Sequence, residues 1–407
     1  MHNRTYKTIV IGGGAAGLFS AIRGSDFCSE REILLLEKSR KLLSKVKISG
    51  GGRCNVTHSC FTPSDLVANY PRGSKELRGP FAQFQPRDTI DWFKKRGVEL
   101  KTESDGRMFP VTDDSQTIID CLMKAANNVE IQYGQHVDRI TPGDSGFAIS
   151  LRSGISLNAQ SVIIATGSAK RGYELASLMG HKIINPIPSL FTFNIPQSPL
   201  QELSGVSADK VVVKLPEFKR EYKGPLLITH WGFSGPAVLK LSAYCAKELY
   251  QSDYRTKVQI DWAPELSDNA LRSRIGERKA SGEKKAVMNE PLISLPKQLW
   301  RALVKQASID EGNRWTDLSK SQIEALISQL KRDGYTIDGK TTYKKEFVTC
   351  GGVTLSEVNF KTMESKLIPH LYFCGEVLDI DGITGGFNFQ AAWTTGWIAG
   401  TSAGSKQ

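Results

Sequence analysis

The chain has 407 residues, 40% hydrophobic and 23% charged, a length that calls for more than one core and a composition ordinary for a globular protein. Its 53 Lys and Arg against 42 Asp and Glu give a formal charge of +11, which attracts polyanions or serves solubility alone. No apolar run reaches the roughly 18–20 residues that cross a bilayer; the seven scattered cysteines lack a C-x-x-C pair, which argues against a zinc knuckle or disulfide framework.

The opening "MHNRTYKTIV" lacks a secretory pattern, and with reduced thiols it leads to a cytoplasmic expectation with no membrane partner. In "KTIVIGGGAAGLFSAI", Thr8–Ile11 is β-branched and apolar, as in a strand of a parallel sheet buried on both faces. Gly12, Gly14 and Gly17 then form G-x-G-x-x-G. The first glycine permits the turn, the second admits a pyrophosphate, and the third lets helix and strand pack closely. Ala15, Ala16 and Gly17 open a helix whose positive end faces the phosphates. A second apolar run, Ile33–Leu36, ends at Glu37, placed to accept from ribose hydroxyls, with Lys38 beside it. A dinucleotide carrying adenosine is therefore expected here, either FAD or NAD.

The next stretch, "SRKLLSKVKISGGGRCNVTH", is basic and holds Lys47, Gly51, Gly52, Arg53, Cys54 and Asn55. Its glycines allow close approach to a planar ring or phosphate; a solvated basic loop is the plainer reading. Arg53 beside Cys54 would lower the thiol pKa and fit it to donate a proton, whereas a small packed residue is the alternative. The excursion at roughly 60–120 predicts helix around "RDTIDWFKKRGVEL" and an extended piece at "GRMFPV". "LNAQSVIIATGSA" is another buried strand, ending at Ala165, Thr166 and Gly167.

Residues 191–345 read as an insertion. Its first part is strand-like and punctuated by proline, as suits a β-barrel, and 266–335 is helical in pattern. His230 in "THWGFSGPA" is a second candidate proton donor or a loop-ordering residue. Arg272, Arg274, Arg278, Lys279, Lys284 and Lys285, countered by Glu277 and Glu283, form either a solvated face or an RNA contact. The last segment, "IPHLYFCGEVLDIDGITGGFNFQAAWTTGWIAG", offers a strand, then Gly375 and Glu376, then a helix opening near Gly385, Gly386, Phe387 and Asn388. Such a helix end suits the pyrimidine edge of an isoalloxazine. An NAD-only Rossmann enzyme needs no such return, so FAD is expected.

At these motifs the sequence resembles the BaiN/YhiN/RdsA family of NAD(P)/FAD-dependent oxidoreductases, also labelled aminoacetone oxidase family enzymes. "KISGGGRCNVTH", "THWGFSGPAVLKLS" and the run 351–400 carry the likeness, in the same order over nearly the whole chain. It implies an α/β fold: a Rossmann-like two-dinucleotide-binding FAD domain with an inserted β-barrel plus helical domain. The divisions expected are 1–190, 191–345 and 346–407. It also implies cofactor contacts along the segments above, including Val137, and no metal. The activity implied is NAD(P)H-driven reduction of an activated C=C bond, with a ribosomal RNA uracil or a steroid enone as substrate. A small-molecule enone reductase, an amine oxidase and a non-catalytic FAD-containing RNA-binding protein remain alternatives, and monomer or dimer is open. The chain departs from the family pattern at Ser168, which stands in place of a glycine, and in a shortened loop holding Lys170 and Arg171.

Overall fold

The computed structural model describes residues 4–28, 31–282, 285–341 and 348–405. The chain forms two compact units, Met1–Pro188 with Val348–Gln407, and Ser189–Phe347.

In the first unit five parallel strands lie in the order Leu371–Phe373, Ser156–Ile164, Thr5–Ile11, Ile33–Glu37, Val129–Tyr133. The apolar runs that defined these strands are the buried ones: Ile9, Val10, Ile33–Leu36 and Val162–Ile164 are all essentially inaccessible. Thr5–Ile11 sits in the middle of the sheet, so the glycine turn after it opens at the carboxyl end of the strands, where ligands of such sheets bind. A hairpin, Val137–Gly143 with Gly146–Leu151, continues off Ser156–Ile164.

The helix Ala15–Ser25 packs against the 19-residue C-terminal helix Phe387–Ser405. The approach is close because both surfaces are small. A methyl on Gly396 would stand 2.7 Å from the Ala16 carbonyl oxygen, and one on Gly404 2.8 Å from the Gly24 carbonyl; Gly400 lies on Ser20 in the same way. Glycine at every fourth position thus makes a flat stripe along the helix.

The chain leaves and re-enters this unit through one antiparallel ladder, Ile183–Pro188 with Thr349–Val353, ending at Pro188 opposite Thr349.

In the second unit a seven-stranded sheet runs Asp333–Asp338, Arg255–Asp261, Ser207–Leu215, Arg220–Thr229, Gly232–Ser234, Thr192–Asn194, Lys340–Thr341. The expected barrel is corrected to an open, curled sheet. Its two outermost strands are consecutive along the chain and meet only at Gly339, whose N–H donates to the Tyr254 carbonyl and whose carbonyl accepts from Asn194 N–H. Lys340–Thr341 then pairs with just Thr192 and Phe193, too short a ladder to close a cylinder. The helical half is present as anticipated, with Lys297–Gln306 burying Leu299, Trp300, Leu303 and Val304, and Lys320–Arg332 burying Leu326, Ile327 and Leu330.

Candidate functional site

The three glycines of the opening turn do different work. Gly12 has φ +110°, and a methyl there would stand 2.6 Å from the Ala165 carbonyl oxygen, while one on Gly17 would collide with the Gly12 carbonyl. Both are demanded by the fold. Gly14 is not: its φ is an ordinary −81°, and a methyl on it would meet nothing within 4 Å. It caps the Ala15–Ser25 helix with no side-chain hydrogen bond and no acidic residue in the first turn. The helix therefore presents unsatisfied N–H groups and its positive end to open space. Glu37 closes the second strand, accepting from Gly13 N–H at 2.7 Å and Ser39 N–H at 2.8 Å, with acceptor capacity left over for hydroxyls. Lys38 next to it is exposed.

Ala165 N–H donates to the Ile11 carbonyl, holding the end of strand Ser156–Ile164 beside the glycine turn. Thr166 Oγ1 is buried with no hydrogen-bond partner among the described residues. Gly167, at φ +58°, lies beside Glu376. The Glu376 carboxylate accepts from Lys45 Nζ at 2.5 Å and from Thr349 N–H at 2.9 Å. The non-family Ser168 receives Lys45 as well, at 3.1 Å. Lys170 and Arg171, expected in a shortened loop, open the helix Lys170–Leu178 instead; Arg171 reaches the Val137 carbonyl at 3.1 Å and Glu174 at 2.9 Å, so it clamps the buried Val137 strand to that helix. Gly375 must be glycine, since a methyl would stand 2.7 Å from the Ala16 side chain; its N–H donates to Thr395 Oγ1.

Gly50, Gly51 and Gly52 follow one another at φ +58°, +70° and +86°, and methyls on Gly51 and Gly52 would meet nothing within 4 Å. They form a strip of bare backbone. Asn55 ties this loop to the last segment: in the amide orientation that satisfies both its ends it accepts from Gly386 N–H at 2.9 Å and donates to the Thr57 carbonyl at 3.0 Å. Asn388 binds Gly382 through both N–H and carbonyl at 2.8 Å, and Tyr70 donates to the Phe387 carbonyl at 2.6 Å. The entry to the C-terminal helix is thereby fixed, with Gly385 and Gly386 both at positive φ.

The expectation that Arg53 activates Cys54 is corrected. Cys54 is fully buried, and burial pushes its thiol up to about 12. Arg53 does not activate it: the guanidinium pairs with Glu103 at 2.6 Å and Asp113 at 3.4 Å and lies over the Phe109 ring. Lys47 likewise pairs with Asp114 and Gln116. His230 belongs to the second unit, exposed in the tight turn between Arg220–Thr229 and Gly232–Ser234.

The basic cluster of the second unit is also spent locally. Arg272 pairs with Glu324 at 2.9 Å and Arg278 with Glu290 at 2.8 Å; Lys285 also reaches Glu290, and Lys279 donates to the Leu318 carbonyl. Lys284 and Glu283 lie outside the described residues.

Lys45 is one of the basic residues of the stretch "SRKLLSKVKISGGGRCNVTH"; the motifs did not point to His58, whose ring stacks on Phe387 at 4.6 Å, or to Gln390, which accepts from Thr57 and Thr89. For the helix stripe a signal existed, in the fourfold spacing of Gly396, Gly400 and Gly404.

Within the first unit, contacts join Ala16 to Gly375, Glu376 to Lys45, and Asn55 to Gly386. Three loops that expose backbone are thus linked in sequence: an anion-binding helix end, a glycine strip able to face a flat ring, and a second helix entry. Such a set suits a long ligand with phosphates at one end and a planar heterocycle at the other.

A family profile, the HI0933-like protein Rossmann domain, matches residues 6–402. The chain is 30% identical over 406 residues to a ribosomal RNA dihydrouridine synthase of Escherichia coli strain K12, covering 96% of each chain. It is also 30% identical over 410 residues to a 3-dehydro-bile acid delta(4,6)-reductase of Clostridium scindens, covering 98% of each. Among solved structures, a 3-ketosteroid delta1-dehydrogenase of Sterolibacterium denitrificans aligns with a TM-score of 0.51 at 11% identity, over 98% of this chain and 99% of that one; this likeness is one of fold.

Proposed function

The chain belongs to the HI0933-like family of Rossmann-domain oxidoreductases, and from that premise we propose that it is a FAD-dependent enzyme that uses NAD(P)H to reduce an activated C=C bond, with uridine in ribosomal RNA as the substrate. The observation that carries the cofactor reading is Gly14, an uncapped helix end open to space with no structural need of its own for glycine. FAD, when bound, supplies two-electron redox chemistry. The first-turn N–H groups of Ala15–Gly17 would hold its pyrophosphate, and Glu37 would accept from the adenosine ribose. Glu376 and Lys45 would serve the ribityl chain, and the bare backbone of Gly51 and Gly52 would admit the ring. The N-terminal end of Phe387–Ser405 would steady negative charge on the flavin. No second strand–G-x-G-x-x-G unit is visible in the sequence, so the nicotinamide visits transiently.

Reduction of an enone-like bond needs a proton on the carbon that does not receive hydride. The Cys54 thiol is buried and holds its proton tightly, so we assign it a packing role; His230, in the second unit, is the other candidate donor that the sequence offers. The RNA substrate is supported by the +11 charge and by the name of the Escherichia coli relative; the equally similar bile acid reductase supports a small-molecule enone as the second reading. Free cysteines throughout suit a reducing cytoplasm.

The test has two parts. Anaerobic mixing with NADPH or NADH should bleach the flavin absorbance. Mass spectrometry of ribosomal RNA from a deletion strain should then show one dihydrouridine, about 2 Da heavier than uridine, missing. Bleaching with an unchanged RNA pattern transfers the assignment to the small-molecule reading.

A further inference from the structure

His181 stands outside every motif, between the helix Lys170–Leu178 and the strand Ile183–Pro188, and its imidazole is wholly inaccessible. Its N–H donates to the Ala176 carbonyl at 3.1 Å, which fastens it to the end of that helix. Nδ1 lies 2.9 Å from Glu357 Oε2 and Nε2 lies 2.9 Å from Ser365 Oγ, while the ring meets Phe373 edge-on. Carboxylate, imidazole and hydroxyl in that order make a catalytic triad elsewhere, but this serine is no nucleophile. It is buried, and its Oγ accepts from Leu367 N–H and Ile368 N–H, both at 3.0 Å. Both lone pairs are thereby used, and the hydroxyl proton is left to point at Nε2.

That count fixes the imidazole. Nε2 must accept, so the ring proton sits on Nδ1 and is donated to Glu357, whose Oε2 also takes Lys182 N–H at 3.0 Å. A second proton, on Nε2, would face the hydroxyl proton with no lone pair to receive it. Burial acts in the same direction and lowers the pKa of His181 against the pull of Glu357. Glu357 is the one charge facing the ring among the described residues. On the packed elements Lys366 Nζ is turned to the Ser356 carbonyl, Glu364 accepts from His370 N–H, and Lys182 is exposed.

We propose that His181, Ser365 and Glu357 form an acid-released latch on the wall of the cofactor site. While the imidazole is neutral, it joins the end of the helix Lys170–Leu178 to the segment that carries Glu357 and Ser365. A second proton breaks the bond to Ser365 and frees that end. The helix bears on the cofactor loop at Gly172, where a methyl would stand 1.7 Å from Thr166 Oγ1, and holds the Val137 strand through Arg171. Its loosening should release FAD, a consequence that rests on the cofactor reading above. The sign follows from the ordinary histidine value of about 6.5. The unfolded chain takes the second proton more readily than the folded one, so the latch contributes fully above about pH 6.5 and is lost as pH falls below it.

The test is hydrogen–deuterium exchange of the FAD-loaded protein from about pH 5 to 7.5, corrected for the intrinsic pH dependence, with flavin fluorescence reporting release. Peptides covering 176–187 and 357–368 should exchange at least tenfold faster at the acid end, and FAD should leave over the same range. Glu357→Gln keeps a neutral acceptor for Nδ1–H and removes the charge that favours the second proton, so the opening should move to lower pH. His181→Phe keeps a flat ring with no proton to gain, and its exchange should be level across the range. Exchange that is level in the parent, or that still rises with acid in His181→Phe, would overturn the latch. So would a Glu357→Gln protein that opens at the parent's pH. Opening without loss of FAD breaks the link to the cofactor. Protein purified without flavin refutes the cofactor reading, while the exchange still decides the latch.

Discussion

Valine in place of Gly14 separates the ligand role of the opening turn from its structural role. The new side chain projects into space, with no atom of the described residues beyond its chain neighbours within 4 Å of its Cβ, on a backbone whose φ of −81° any residue adopts. Changing an N-cap glycine to an apolar residue costs about 0.5–1 kcal/mol, so the protein should fold and melt within a few degrees of the parent. A pyrophosphate seated there would lose about two charge-assisted N–H bonds, each about 1.5–3 kcal/mol. The sum, about 3–6 kcal/mol, is a loss of about 10²–10⁴-fold in FAD affinity. Gly17→Ala is the contrasting variant, because its methyl collides with the Gly12 carbonyl and should unfold the unit. The assay is FAD released by heat per mole of protein, followed by titration of apoprotein with FAD and a circular dichroism melt. A folded Gly14→Val protein that binds FAD as tightly as the parent would refute the reasoning.

The cofactor should be non-covalent: acid precipitation should leave a yellow supernatant over colourless protein, and yellow pellets would mean a covalent bond. At pH 8 a thiol-alkylating reagent should modify the partly exposed Cys28 and Cys60 well before Cys54; mapping by mass spectrometry that finds Cys54 first would overturn the packing role. Asp333 is buried, with Trp262 and Tyr335 donating to its Oδ2 and the Gln329 amide also in reach of the carboxyl, and burial outweighs these bonds and lifts it from 3.8 to about 6. The folded state therefore holds this proton more tightly, so its contribution to stability is full below about pH 4, declines as pH rises through 6, and is flat above. That is about 2–3 kcal/mol in all, and Asp333→Asn should abolish the slope; melts whose slope between pH 4 and 7 survives the substitution would contradict it. His230→Ala should slow substrate reduction at least tenfold while leaving flavin reduction by NADPH intact, and equal loss of both half-reactions would remove it as the proton donor.

The parallel sheet and the glycine turn were legible because β-branched runs ending in glycine have few other structures open to them. Helices such as Lys297–Gln306 were legible from apolar spacing alone. The barrel was misjudged because closure depends on the length of one terminal ladder, Lys340–Thr341 on Thr192–Phe193, and composition carries no trace of that. The thiol was misjudged for a related reason. Arg53 is next to Cys54 in sequence, yet its guanidinium turns to Glu103 and Asp113, fifty and sixty residues on. Local neighbours suggest electrostatics; the tertiary fold assigns them.

The stripe of Gly396, Gly400 and Gly404 also sets an order of events during synthesis. The helix that lies on Ala15–Ser25 is made some 380 residues after it, so the first unit stays without its closing element until Phe387–Ser405 has been translated. Ser189–Phe347, contiguous in sequence, can collapse on its own beforehand. The groove along Ala16, Ser20 and Gly24 must wait, exposed, for a partner some 380 residues downstream. Loading of the cofactor therefore waits for this helix. A ribosome that stops short of residue 387 would release a chain with a finished second unit, an unfinished first, and no capacity to become yellow.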